Sequence, residues 1–187
     1  MLPKLIPVDA PWMISTSAPD LRLISDGDGV PHAVTFIGYF LRAVVEARAE
    51  SNEVEVVESP EEFRPARDGE DGPYHLIKVS FANPKVGRTS YSVSDKEIIR
   101  EADYDWSVVP TSMLPGESLE DNIARSRLAW RTSGRSPNPR MYEVLGSQWL
   151  AELNLPDATL KHLMLLGQDE YIEVIASGWS WQKGQQA

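Results

Sequence analysis

The chain has 187 residues, a formal charge of −10 and no cysteine. Its length suits one domain, and 42% hydrophobic with 25% charged residues is an ordinary globular composition that excludes disorder for the bulk of the chain. Without thiols there are no disulfides, thiolate metal sites or cysteine nucleophiles; the acidity opposes general nucleic-acid binding, and no apolar run is long enough to span a bilayer.

Residues 1–20 contain Pro3, Pro7, Pro11 and Pro19. That spacing breaks helices and central strands, so it predicts an extended arm anchored by Leu5, Ile6, Val8, Trp12 and Met13. The arm has no apolar run of the signal-peptide kind, which points to a cytoplasmic protein. Residues 21–25 read as a short strand, followed by a turn at Asp26-Gly-Asp-Gly29. Val34, Ile37, Gly38, Leu41, Val44 and Val45 recur at three-and-four spacing and predict a helix over 33–49. Residues 53–58 alternate Glu with Val and read as a strand; 59–73 read as a polar loop.

Residues 74–82 alternate cleanly and predict a strand, with residues 83–87 turning the chain into a return strand at 88–93, a hairpin. Ser94 and Glu97 match a capping box for a short helix to about residue 102. Ser118, Glu120 and Asp121 open a helix that ends at Gly134. Asn138-Pro139 predicts a further helix to about residue 154. Residues 160–166 and 170–181 read as a closing hairpin, its first strand apolar on both faces and therefore central. Residues 182–187 read as a frayed tail. Together these elements predict a single α+β domain over 21–181, with about five mostly antiparallel or mixed strands against two to four helices.

Charge is unevenly distributed. Residues 46–71 carry net −7, residues 95–121 net −6 and residues 122–142 net +5. Arg125, Arg127, Arg131, Arg135 and Arg140 make up the positive stretch. Guanidinium forks take carboxylates and phosphates at two points, so these five are candidates for an anion or an acidic partner unless the chain's own acids pair with them.

Three further groupings stand out. His75, His162 and Glu173 lie in predicted strands and could line a pocket, with Arg131 as a further polar neighbour. Trp179 and Trp181 would project from one side of a strand as an aromatic anchor. Asp26, Asp28 and His32 are weak metal candidates: Val30 stands where an EF-hand needs an oxygen ligand, and no closing Glu follows. No catalytic residue is identified, because the phosphate-binding loop, nucleophile-elbow, dinucleotide and zinc-protease patterns are all missing.

The expectation is a non-catalytic, cofactor-free acidic protein that binds another protein and not a membrane, with self-assembly left open. It shares this composition with small acidic inhibitor and immunity proteins. The alternative is a small-ligand domain or enzyme whose His/Glu/Arg-lined pocket lies between sheet and helices.

Overall fold

A computed structural model describes residues 2–15, 20–41, 74–91, 103–110, 114–167 and 170–183. These residues form two five-stranded antiparallel sheets and two helices. The first sheet runs β1 (Lys4–Pro7), β7 (Met141–Leu145), β8 (Lys161–Leu166), β9 (Glu170–Ala176) and β6 (Val86–Tyr91). In the second, β10 (Gly178–Lys183) pairs with β5 (Tyr74–Ala82), and β5 pairs with β4 (Pro31–Phe40). The other edge of β4 is shared by β2 (Trp12–Ile14) and β3 (Arg22–Ser25). The helices are α1 (Leu119–Ser133) and α2 (Gln148–Glu152). The expected α+β balance is therefore corrected: the fold is mostly β, with only two helices among the described residues. Neither helix is long and apolar enough to cross a membrane.

The two sheets face each other over one core. Trp12, Val34, Phe36, Ile77, Val79 and Phe81 come from the second sheet, and Met141, Leu163, Leu165, Ile172 and Val174 from the first. Removing this apolar surface from water is the main favourable contribution to folding. The chain passes between sheets three times. The N-terminal arm joins the first sheet through β1 and the second through β2. The turn after β5 enters the first sheet as β6, and the chain returns to the second at Ser177, whose amide donates to the Ala82 carbonyl at 2.9 Å. At Gly87 the sheets approach so closely that a Cβ would run into the Pro31 ring and lie 3.2 Å from the Glu173 carbonyl oxygen.

Several elements differ from the sequence expectations. Residues 33–40 of the predicted helix lie in β4. Val34, Phe36 and Gly38 alternate into the core there, and a segment rich in aromatic and β-branched residues suits a pleated surface better than a helix. The helix predicted from Asn138 is a strand followed by one short helix, because residues 141–145 pair with β1 and β8 and Gly146 (φ 71°) ends the strand. β5 and β6 are not a hairpin; β6 pairs with β9 in the other sheet. The strand read as 170–181 divides at Ser177 into β9 and β10. Conversely, β5 has the predicted bounds, and α1 has Ser118 as N-cap and Gly134 (φ 68°) as its left-handed stop. β8 is central and buried on both faces. The expected strand at 53–58, loop at 59–73, most of the return strand's end with the capping-box helix at 94–102, and the tail from 184 lie outside the described residues.

Candidate functional site

The first sheet has a second, outer face. Leu5, Tyr142, Val144 and Met164 lie on it, covered by Tyr104, Trp106 and Val109. Strand alternation sends His162 and Glu173 to this same face, where β6 adds Arg88 directly opposite Glu173. The result is a polar group set into an apolar sheet. The Glu173 side chain is 0% exposed, His162 is 2% exposed and Arg88 is 48% exposed.

These side chains form one chain of contacts. Arg88 Nε donates to Glu173 Oε2 in a close ion pair. Glu173 Oε1 lies 2.9 Å from His162 Nε2; the N–H and the oxygen are poorly aligned, so the attraction is more electrostatic than a well-formed hydrogen bond. His162 Nδ1 lies 2.8 Å from Ser147 Oγ. A carboxylate can only accept, so in the neutral ring the N–H sits at Nε2 and Nδ1 takes the Ser147 hydroxyl proton. Ser147 Oγ also accepts the Leu150 N–H at 3.1 Å, which caps α2. Trp149 completes the group: its ring stands 5.1 Å from that of His162, edge to face, and the Arg88 guanidinium carbon lies 4.2 Å above it.

Electrostatics follow from this packing. Burial pushes the Glu173 carboxyl up, but His162 and Arg88 together pull it further down, so it stays ionised at neutral pH. Arg88 is raised by its bond to Glu173. Burial, with the Glu173 charge nearby, pushes the Tyr104 hydroxyl up to about 12, which keeps it a neutral donor.

In front of this group is a cleft of about 450 Å³, lined among others by Arg88, Asp103, Tyr104, Ser147, Trp149 and His162. Arg88 is balanced by Glu173. The described lining also holds two acids, Asp103 and Glu152, and no lysine. Both ring nitrogens of His162 already face partners.

The other expected site residues lie elsewhere. His75 is in β5 of the second sheet, against the Phe40 ring at 5.3 Å, and does not meet His162. Arg131 is exposed on α1. Arg125 grips Glu117 at 2.7 and 3.0 Å and holds that carboxyl down to about 2. Arg135 pairs with Asp9 at 2.7 Å, and Arg140 donates to the Leu166 and Gly167 carbonyls. Arg127 and Arg131 have no ion pair among the described residues. Trp179 and Trp181 turn inward to Trp12, at 6.4 and 6.3 Å between ring centres. His32 lies 3.2 Å from Asp26, while Asp28 accepts the Val30 amide, and the described residues contain no cluster of three or more metal-ligating side chains.

Sequence reasoning missed Arg88, Ser147 and Tyr104 as site residues, and it placed Trp149 on a helix and among six tryptophans weighed as stacking residues, without joining it to His162 and Glu173. A signal for Ser147 was present: Gly146-Ser147 between an apolar strand and a helix start is a place where a side-chain oxygen caps and points outward. Arg88 had none, since its partner is 85 positions away. No known family model, no curated protein and no solved structure matches this chain.

Proposed function

We propose that the protein binds a small molecule carrying an ammonium or guanidinium head in the cleft on the outer face of the first sheet. The observation that carries this reading is Glu173, a fully buried carboxylate kept ionised directly behind residues that line a cleft. Burying a charge costs several kcal/mol, about the same as excellent pairing returns, so apolar side chains of similar volume would stabilise this sheet as well or better. Ionisable groups with perturbed titration beside a cleft are therefore candidates for function. Asp103 and Glu152 are acidic groups at the cleft, and the face of Tyr104 suits a cation.

The direct test is thermal denaturation with agmatine and histamine as cations and butyrate and inorganic phosphate as anions. A cation at about 100 times its Kd stabilises by about 2.7 kcal/mol, a rise in Tm of roughly 5–10 °C for a chain of this size. The same cation should have at least tenfold weaker affinity in a D103N/E152Q variant. A rise with phosphate alone, or none with any compound, contradicts the reading.

A second reading is favoured by α1. Leu119 and Leu128 on this helix are 64% and 65% exposed, beside Arg127 and Arg131. An acidic protein partner with apolar side chains would complement that surface. Reversing both charges (R127E/R131E) should leave the Tm within about 2 °C, as surface changes do, and release partners held by the wild type. Unchanged pull-down partners with an unchanged fold make these arginines structural.

A further inference from the structure

Taking the cleft as a ligand site, we infer that Ser147 is a nucleophile activated by His162 and that the cleft hydrolyses a small carboxylic ester. Ser147 Oγ, His162 and Glu173 stand in hydroxyl–imidazole–carboxylate order, the first pair hydrogen-bonded at 2.8 Å and the second in a close but poorly aligned contact at 2.9 Å. That order is the arrangement by which a weak hydroxyl is made reactive: the ring takes the proton, and the carboxylate fixes the tautomer and stabilises the imidazolium. The usual assignment of ring nitrogens is exchanged, with the hydroxyl on Nδ1 and the acid on Nε2. Imidazole is conjugated, so either nitrogen can accept while the other donates. The roles, not the labels, define the relay.

A purely structural account explains only part of this. As a helix cap, Ser147 needs the Leu150 amide alone. Capping requires neither a histidine on the hydroxyl nor a buried carboxylate behind that histidine, and both are costly to bury. The cap positions the nucleophile: the Leu150 N–H takes one lone pair of Oγ and leaves the hydroxyl proton directed at His162. Gly146, at φ 71°, turns the chain sharply out of β7 and brings Ser147 to the lining of the cleft. Access is from the cleft side, where Ser147 and His162 both line the wall.

The steps balance. Ser147 Oγ forms a bond to the ester carbonyl carbon as its proton passes to Nδ1. The tetrahedral adduct collapses, the bond to the alcohol oxygen breaks, and that oxygen takes the proton from Nδ1. Water then attacks the acyl-serine, giving its proton to Nδ1, and collapse returns that proton to Ser147 as the carboxylic acid leaves. The sum is ester plus water to acid plus alcohol. Glu173 touches no reacting atom and is a positioning residue.

A fluorophosphonate tests the nucleophile on the wild-type protein in one turnover: the Oγ–P bond forms, the P–F bond breaks, fluoride leaves and the proton goes to His162. Peptide mass mapping should find one adduct, on Ser147, formed at least about 100-fold faster than on the other serines, the range that a positioned base supplies. Glu173→Gln should slow labelling, and Glu173→Asp should restore part of the rate. No adduct on Ser147, or one formed no faster than in urea-unfolded protein, overturns the inference, as does full-rate labelling of the Gln variant. Agmatine titrated into the same samples separates the two claims. Agmatine binding without labelling removes the nucleophile and leaves the ligand site; loss of both removes both.

Discussion

Arg88→Ala lowers stability by about 3 kcal/mol or more at neutral pH, because it takes the guanidinium away from a fully buried carboxylate and leaves only His162 beside it. Arg88 itself is half exposed, so its own charge contributes little; the cost falls on Glu173. Arg88→Met separates the terms, since it keeps an apolar stem over Trp149 and removes only the charge. Both variants should be destabilised, Met less than Ala. The pH dependence has a fixed sign. In the wild type the Glu173 carboxyl is lowered from 4.5, so its contribution is complete above that value and is lost as pH falls through the lower folded value. Without Arg88, burial dominates and the folded value rises. The gap between wild type and variant is therefore full at pH 7. It narrows as pH falls through the variant's raised value, then further as the wild type loses its own contribution. Urea unfolding at pH 7, 5 and 4 measures this. A constant gap shows that Arg88 acts through packing alone.

Trp12→Ala is expected to cost about 3–5 kcal/mol, the range for removing a large aromatic from a closed core. Trp12 is fully buried and stands 5.0 Å from Phe36 between ring centres, with Trp179 and Trp181 against its other sides. It closes the core where β2 and β10 approach, so its loss opens a cavity between two edge strands. Its indole nitrogen is buried without a hydrogen bond among the described residues. Trp12→Phe therefore loses volume but relieves an unpaired donor, and should cost less than half as much. Thermal unfolding of the two variants checks both. Equal losses would mean that the indole N–H, not the ring volume, matters.

Local signals were legible and pairings were not. Ser118 and Gly134 announced the two ends of α1 because capping chemistry is written within a few residues. The alternation of Ile77, Val79 and Phe81 gave β5 directly, and apolar residues on both faces of β8 marked it as central. β4 was misread because Val34, Ile37 and Leu41 fit a helical stripe, while Val34, Phe36 and Gly38 fit a strand; tertiary pairing with β5 decided between them. β7 was misread because Asn138-Pro139 mimics a helix start. Of the candidate site, His162 and Glu173 were visible because they sit on adjacent strands of a short hairpin. Arg88 reaches them only because β6 crosses to the other sheet, which no spacing in the sequence records.

The most direct test of the cleft is a two-dimensional NMR titration of the wild-type protein with agmatine. The expected result is saturable shifts of the Trp149 indole N–H and of the Ser147, Tyr104 and His162 amides, with the Trp12, Val34 and Val79 amides of the second sheet unmoved. Shifts confined to α1 or to the second sheet, or none at 10 mM agmatine (about tenfold above a millimolar Kd), contradict it.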